Sequence, residues 1–597
     1  MESSGRRRPV HSDLILRIAG ESGEGVITIG ETLCKIAARE GIHIVTFRTF
    51  PAEIKGGACM IQVRLSERRI PYHGERVDFL VCLNQEAVEE NLPNLKEHGV
   101  LLCEAECELA EKNPGWTVYK VPFDRIATRE IGSRISKNIV VLGTLSHLLA
   151  LPKETIEKFI SEKFARKGKA VLDHNLDALQ RGFDFGQRHL AKKDSYRLPK
   201  GSDWKRLLMT GNEAIAAGAA AAGMKYFFGY PITPASEIME WLAVHLPKMG
   251  GVVLQTEDEI SAICSVAGAS WAGGKSMTST SGPGLSLMSE TIGLLSMAEI
   301  PAVIVDSQRG GPSTGMPTKT EQSDLFLALY GSHGDAPRAV MAPTSVSDSA
   351  RVTALAFAVA EKYQLPVIVL VDQALSARLE TVERQIFERL PQASRVHAMP
   401  ADGVPFVRYQ LGESAVSPTA VPGTPGGEHM VTGMEHDERG NFACDDETHT
   451  AMTVKRFRKL AALESDPLLS EFCTRLGDED GEIGIVTWGS SAGPVEEALG
   501  VAKAMGISAQ AIIPRVLNPL PHKQLKSFFS KVKRIIVPEL NFLGQFATLL
   551  RSTYRVPTIS LTKIKGVPLA PSEIVEKIVE ADSMLSARSK KVYGRVG

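Results

Sequence analysis

Leu14-Ile15-Leu16-Arg17-Ile18 runs into Gly20-Glu21-Ser22-Gly23-Glu24-Gly25, and Ile29, Leu33, Ile36 and Ala37 follow at helical spacing. The apolar run reads as a buried strand, the glycines as a turn, and the spaced apolar residues as a helix face that covers the strand. A second strand at 42–46 completes a strand–turn–helix–strand unit, the building block of an α/β sheet. Apolar runs at 78–83, 100–103 and 138–143 continue the pattern expected of a parallel sheet covered on both faces.

The same alternation returns further along. Strands are expected at 206–209, 226–229, 252–255, 276–280, 302–306, 339–342 and 367–372, with helical stretches between most of them. Turns then fall at the strand carboxyl ends, where ligands bind in such sheets. A third block opens at Glu482-Ile483-Gly484-Ile485-Val486 and continues through 509–513 and 534–538. Residues 191–203 are charged, carry Pro199 and Gly201, and read as a linker. Residues 392–480 are less regular, with Pro418, Pro422, Pro425 and three glycines at 423, 426 and 427, the texture of a lid or linker. The expected division is 1–195, 196–391, 392–480 and 481–597: three α/β units with an irregular region before the last.

Composition excludes several classes. Sixty-eight basic residues against 69 acidic give a net charge of −1 over 597 residues. This leaves no electrostatic case for a nucleic-acid partner or an anionic membrane. No run of 18 apolar residues is present to span a bilayer. The basic start (Arg6, Arg7, Arg8) lacks the apolar stretch of a secretory signal. Eight scattered cysteines, of which only Cys103 and Cys107 are close together, do not form a disulfide framework or a cluster motif. Free thiols in a reducing cytoplasm are expected, and a redox metal, if the chemistry needs one, then sits on another chain.

Several turns carry candidate chemistry, each with a plainer alternative. Gly20-x-x-Gly23-x-Gly25 lacks dinucleotide spacing, and Glu21 and Glu24 would repel phosphate, so a structural turn is favoured over a nucleotide site. Lys55 beside Gly56 and Gly57 suits an anionic ligand arm or a surface turn. Thr233, in Tyr230-Pro231-Ile232-Thr233-Pro234, is a hydroxyl for a carboxylate or part of a rigid helix start. Glu259, in Gln255-Thr256-Glu257-Asp258-Glu259, is an ordinary first-turn acid or more. The small residues after it, through Gly268 nine positions on, let a cofactor or another chain come close. Ser281-Gly282-Pro283-Gly284 is a ligand-facing turn, and Arg309, before Pro312-Ser313-Thr314-Gly315, offers a fork for a carboxylate or a solvated charge. Glu435-His436-Asp437 suggests an acid–base or metal cluster, but adjacent loop residues seldom converge on one ion.

These elements in this order resemble the alpha subunit of 2-oxoacid:ferredoxin oxidoreductases: Tyr-Pro-Ile-Thr-Pro, the Glu259–Gly268 stretch, Ser-Gly-Pro-Gly, Arg309 with Pro-Ser-Thr-Gly, and Thr432-Gly-Met-Glu-His-Asp-Glu438. The block with Glu53-Ile-Lys-Gly-Gly57 is similar to the family's gamma domain, fused in front as in its 2-oxoglutarate enzymes. The resemblance implies a gamma domain, a thiamine pyrimidine-binding domain and a transketolase C-terminal-like domain. It implies coenzyme A-dependent oxidative decarboxylation of a 2-oxoacid, 2-oxoglutarate first, with pyruvate, branched-chain oxoacids or indolepyruvate as alternatives and a non-catalytic interaction subunit as another. By the same resemblance, Glu259 is the catalytic carboxylate and Thr233, Arg309 and Thr314 bind substrate. Lys55, Gly56, Gly57, His436 and Asp437 are then coenzyme A or lid contacts, and none of these residues binds metal. No Gly-Asp-Gly diphosphate motif is present. A beta subunit is therefore expected to share thiamine diphosphate and Mg²⁺ and to carry a [4Fe-4S] cluster, in an α₂β₂ assembly that reduces ferredoxin.

Overall fold

The structure, a computed structural model, describes residues 12–51, 56–110, 113–204, 206–400 and 403–593, with side chains through 586. The chain forms two compact units, Met1–Met209 with Arg378–Glu383, and Thr210–Ala377 with Arg384–Gly597. Among the described residues, no helix is long and apolar enough to cross a membrane.

The first unit is built on one eight-stranded sheet. Its strands are β1 (Asp13–Glu21), β2 (His43–Thr49), β3 (Ala58–Ser66), β4 (Val77–Cys82), β5 (Leu95–Glu104), β6 (Thr117–Val121), β7 (Leu207–Thr210) and, from far along the chain, β14 (Leu379–Val382). The order is β6-β5-β4-β1-β3-β2-β14-β7. β1, β4 and β5 are parallel, as expected, and β6, a strand the sequence reading did not single out, extends them in parallel. β3, however, lies between β1 and β2 and runs antiparallel to both. The short link from β2 to β3 permits only an antiparallel return, since a parallel crossover needs a dozen residues or more.

Two other expectations change here. Residues 138–143 form no strand; they belong to the helix Lys137–Leu149, which is buried on nearly every side. A run apolar all round hides its period. This helix packs backbone to backbone on the helix Lys169–His189: a Cβ on Gly143 would stand 2.2 Å from the Leu179 carbonyl oxygen, and one on Gly182 2.1 Å from that of Val140. The strand expected at 206–209 is β7, an edge strand of this first sheet. Residues 191–203 carry no regular element but are pinned to the unit. Leu198 donates to the Leu149 carbonyl at 2.9 Å, and the Tyr196 hydroxyl to Asp78 at 3.4 Å.

The second unit holds two sheets. The larger comprises β8 (Tyr226–Gly229), β9 (Val252–Gln255), β10 (Ser276–Thr280), β11 (Ala302–Gln308), β12 (Ala339–Met341), β13 (Pro366–Asp372) and β18 (Val516–Asn518), in the order β18-β12-β13-β11-β10-β8-β9. All but β18 are parallel. The smaller runs β15-β17-β16-β19-β20, where β15 is Cys473–Gly477, β16 Ile483–Val486, β17 Ala509–Pro514, β19 Arg534–Glu539 and β20 Ile559–Thr562.

One apolar cluster joins them, with Ile304 and Ile368 of the larger sheet against Trp488, Val537 and Phe546 of the smaller side. The Gln322 side chain ties both sides, reaching Asp372 at 3.1 Å and accepting from Ser491 at 3.2 Å and from the Leu540 backbone at 3.1 Å.

The region 392–480 is mostly irregular but contains the helix Asp446–Glu464. Its Lys455 and Lys459 are buried against Glu299, each Nζ 2.6 Å from a carboxylate oxygen. Burial would raise the Glu299 carboxyl; Lys459, Lys455 and Arg408 together bring it down to about 2.

Candidate functional site

Strand order locates the crevice. The chain passes from β8 to β9 on one side, then returns past β8 to β10 on the other. The switch point of the large sheet therefore lies between β8 and β10. In open parallel sheets, ligands bind outside the carboxyl ends of the strands at such a point. Thr233 follows β8, Glu259 follows β9, Ser281 to Gly284 follow β10, and Arg309 follows β11. Four successive neighbours in one parallel sheet thus present the expected motifs on one edge.

Three acids begin the helix Glu259–Trp271, and the structure separates them. Glu257 is exposed. Asp258 is the helix cap, its carboxylate accepting from the Ser261 backbone at 2.7 Å. Glu259 is buried, only 7% exposed, and turns toward the Ser281–Gly284 turn. A Cβ on Gly284 would stand 2.6 Å from its Cγ, 2.7 Å from its Oε1 and 2.0 Å from Thr280 Oγ1. Gly284 is a glycine because that carboxyl group needs the room. Gly268, by contrast, faces open space, with no described atom within 4 Å of a Cβ placed there.

Arg309 is 7% exposed. Its Nη1 donates to the Thr233 carbonyl at 2.7 Å, which ties the β8 and β11 loops together. Its Nε is buried with no acceptor among the described residues, a donor left over for an anionic ligand. Burial lowers its pKa, and Asp324 opposes that. Thr233 itself is exposed. Thr314 is exposed at the tip of a tight loop closed by the Met316 amide on the Gly310 carbonyl at 2.7 Å. Gly315 sits at φ 53°, where a Cβ would stand 1.8 Å from that same oxygen.

Sequence reasoning missed the carboxyl pair behind these loops. Asp306, on β11, is fully buried, and its carboxyl is close enough to that of Asp324 for the two to be electrostatically coupled. Two buried carboxyls in contact must share a proton. Burial and the Asp324 charge push Asp306 well up, while Asp324, also raised by burial, stands at about 6. A Cβ on Gly282 would lie 2.8 Å from the Asp324 carboxylate, so the pair backs directly onto the Ser281–Gly284 turn. Only three-dimensional contact reveals it, because eighteen positions separate the two acids.

The other candidates sit elsewhere. Residues 52–55, with Lys55, lie outside the described residues. Gly56 and Gly57 belong to the first unit, both at positive φ; the Gly57 carbonyl accepts from Ser22 at 3.0 Å. In the glycine turn they touch, the Glu24 carboxylate folds inward onto Lys137 at 2.8 Å, Asn84 at 2.9 Å and the Glu21 amide at 2.8 Å. That carboxylate fills the place an anion would take.

His436 is fully buried, its ring 4.1 Å from that of Tyr409 and its Nδ1 3.0 Å from the Met434 carbonyl oxygen. Asp437 accepts from the Arg439 and Asn441 backbones at 2.9 Å. Glu435 is clamped by Arg456 at 2.9 and 2.8 Å and by His449 at 2.6 Å. Burial would raise Glu435, and these two partners bring it down to about 2. The Glu-His-Asp run thus holds its own loop against the helix Asp446–Glu464. Among the described residues, no group of three or more His, Cys, Asp or Glu is disposed to hold a metal ion.

Comparison with known proteins matches this layout. Residues 217–455 match the thiamine diphosphate-binding family of pyruvate flavodoxin/ferredoxin oxidoreductases, residues 15–185 the pyruvate ferredoxin/flavodoxin oxidoreductase family, and residues 481–566 core domain II of pyruvate:ferredoxin oxidoreductase. The residues matched by the thiamine diphosphate-binding model include this switch point, where the absence of a side chain at Gly284 leaves room for the buried Glu259 carboxyl. The chain is 34% identical to the 2-oxoglutarate oxidoreductase subunit KorA of Mycobacterium tuberculosis, over 94% of this chain and 90% of that one. It is 30% identical to the alpha subunit of 2-oxoacid:ferredoxin oxidoreductase 2 of Aeropyrum pernix, over 95% and 98%.

Among solved structures, it is similar to the 2-oxoglutarate:ferredoxin oxidoreductase of Magnetococcus marinus, determined with 2-oxoglutarate, coenzyme A and succinyl-CoA bound. Identity is 40%, TM-score 0.90, and coverage 96% of this chain and 99% of that one. The relatives are subunits of larger oxidoreductases. The chain belongs to the 2-oxoacid:ferredoxin oxidoreductase family.

Proposed function

We propose that this chain is the catalytic-carboxylate subunit of a cytoplasmic 2-oxoglutarate:ferredoxin oxidoreductase, making succinyl-CoA and CO₂ with reduction of ferredoxin. The observation that carries this reading is the convergence of Thr233, Glu259, Ser281–Gly284 and Arg309 at the carboxyl ends of β8 to β11, around the switch point. The Magnetococcus marinus enzyme, bound to 2-oxoglutarate and succinyl-CoA, supports the choice of oxoacid.

Thiamine diphosphate, when bound, supplies the carbon nucleophile and the electron sink for decarboxylation. Glu259 holds a proton at the pyrimidine N1′ from its buried place beside Gly284. Arg309 and Thr233 receive the oxoacid carboxylate, and Arg309 contributes the unspent Nε donor. Thr314 borders the same crevice and contacts the oxo group. Lys55, Gly56 and Gly57 contact coenzyme A, while His436 and Asp437 keep the 431–441 loop in shape.

The chain provides half of the site. A beta subunit binds the diphosphate and Mg²⁺ and carries the [4Fe-4S] cluster, giving α₂β₂. Exposed apolar residues flank the site residues in the chain: Tyr230, Ile260, Leu287 and Met316, each 42% to 52% exposed, as expected of a surface that a partner covers. The test is steady-state reduction of a viologen dye by the chain co-expressed with its beta subunit. Turnover with 2-oxoglutarate and coenzyme A at many times the pyruvate rate supports the reading; a preference for pyruvate or a branched-chain oxoacid overturns it.

A further inference from the structure

We propose that Thr280, Asp306 and Asp324 form a relay that carries a proton from Glu259 to the rim of the crevice. The inference rests on the oxoacid chemistry proposed above and starts from the balance of that reaction. A 2-oxoacid carboxylate and the thiol of coenzyme A become CO₂ and a thioester, two electrons pass to ferredoxin, and one proton is left over. Glu259, which holds the proton at the cofactor, is only 7% exposed. The proton therefore needs a way out through the protein.

The path begins at the Ser281–Gly284 turn. A Cβ on Gly284 would stand 2.7 Å from Glu259 Oε1 and 2.0 Å from Thr280 Oγ1. Hydroxyl and carboxyl thus crowd one point, within reach of each other directly or through one water. Thr280 ends β10 and pairs with Asp306 of β11 in the parallel register. Paired residues of neighbouring strands share a face, and the strands lie about 4.8 Å apart. Both residues are fully buried. The Thr280 hydroxyl donates to the Ser281 carbonyl at 3.3 Å, a long hydrogen bond that rotation can exchange for another acceptor.

Asp324 reaches the same place from another loop, and both strands hold it there. Its amide donates to Gln308 Oε1 of β11 at 3.2 Å. Its carboxylate lies 2.8 Å from where a Cβ on Gly282, just beyond β10, would stand. The carboxyl is therefore laid across the ends of both strands, next to Asp306. Both Asp306 oxygens and Asp324 Oδ2 are buried and meet no amide, amine or hydroxyl donor among the described residues. The Ser281 hydroxyl and Gln308 Nε2 are buried without partners as well, and ordered water satisfies such a set. Asp324 is partly exposed, so the path ends where solvent begins.

The electrostatics suit a carrier. Burial raises Asp306, and the Asp324 charge adds to this. Asp324, at about 6, gains and loses a proton near neutrality; Glu321 and Arg309 are the other charged groups that act on it. In each turnover Glu259 passes its proton to Thr280 Oγ1 as the hydroxyl's own proton moves on to Asp306. The carboxyl pair, then holding one proton more than at rest, releases it from Asp324. Only O–H bonds form and break, and each carrier returns to its starting state.

The test is stopped-flow reduction of methyl viologen by the chain co-expressed with its beta subunit, in weakly buffered phenol red, in H₂O and D₂O. Methyl viologen takes one electron and no proton, so the indicator reads the proton that the reaction releases. In wild type, protons and electrons should appear together. Thr280→Val and Asp306→Asn should each slow both by about 10²-fold, the lower worth of a positioned proton carrier, with a larger solvent isotope effect and an unchanged KM for the oxoacid. Thr280→Ser keeps the hydroxyl and should run near the wild-type rate. Thr278→Val, on the same face but paired with the apolar Ile304, should do the same. Wild-type rates and isotope effects in both Thr280→Val and Asp306→Asn overturn the proposal. So does a loss in Thr280→Ser equal to that in Thr280→Val, or slow turnover without a larger isotope effect, since either marks a packing role. If one variant folds poorly, the other decides. Every 2-oxoacid releases the same proton, so a preference for pyruvate overturns the choice of 2-oxoglutarate and leaves this test standing.

Discussion

Gly284→Ala places a methyl group where the structure has no room for one. The new Cβ would lie 2.0 Å from Thr280 Oγ1 and 2.6 to 2.7 Å from the Glu259 side chain, when ordinary contact begins at about 3.5 Å between heavy atoms. Either the turn or the carboxyl group must move by about 1 Å. Overpacking of this kind costs about 1–3 kcal/mol, so the chain still folds at lower stability. Misplacing a reacting group by about 1 Å costs about 10²-fold in rate, so turnover falls far more than stability. The assay is oxoacid-dependent viologen reduction in the complete enzyme, with thermal unfolding of the same preparation. Gly268→Ala is the control, since its Cβ meets nothing and alanine favours a helix by about 0.5–1 kcal/mol. If Gly284→Ala turned over at the wild-type rate, the Glu259 carboxyl would not be working where the structure places it.

Arg309→Lys keeps the charge but loses the fork. A charge-assisted hydrogen bond is worth about 1.5–3 kcal/mol, so kcat/KM for the oxoacid should fall about 10- to 100-fold while KM for coenzyme A stays unchanged; steady-state kinetics with each varied in turn checks this, and an unchanged oxoacid constant removes Arg309 from the site. Asp306→Asn tests the carboxyl pair through pH. Asp306 and Asp324 are both raised on folding, so their contribution to stability is fully present below the unfolded carboxylate pKa of about 3.9 and is lost as pH rises through about 6 and beyond. The amide donates to Asp324 without ionising, so the thermal midpoint of Asp306→Asn should gain on wild type between pH 5 and pH 8; a constant difference across that range contradicts the shared proton.

The parallel strands of the large sheet are legible from the residues alone because each is a short apolar run ending in a turn of glycine, proline or small residues. Their carboxyl ends carry Thr233, Glu259, Ser281 and Arg309, so most of the candidate crevice is legible too. β3 is not, because pairing between β1 and β2 is decided by the length of a link and leaves no periodic mark. The helix Lys137–Leu149 reads as a strand because it is apolar on almost every face. The distinction among Glu257, Asp258 and Glu259 rests on burial and capping, which only the fold supplies. The Glu435-His436-Asp437 run shows the converse: chemically suggestive neighbours are consumed by Arg456, Tyr409 and Asn441 in holding a loop.

The central claim is that Glu259, and neither acid before it, governs the proton at the thiamine pyrimidine. Hydrogen–deuterium exchange at thiamine C2 in the reconstituted complex measures this directly. Gln is nearly isosteric, so Glu259→Gln should leave assembly intact and slow exchange by about 10²–10⁴-fold, the usual worth of a positioned acid–base group. Glu257→Gln, at an exposed position, should exchange at close to the wild-type rate. Wild-type exchange in Glu259→Gln, or a larger loss in Glu257→Gln, would contradict the assignment.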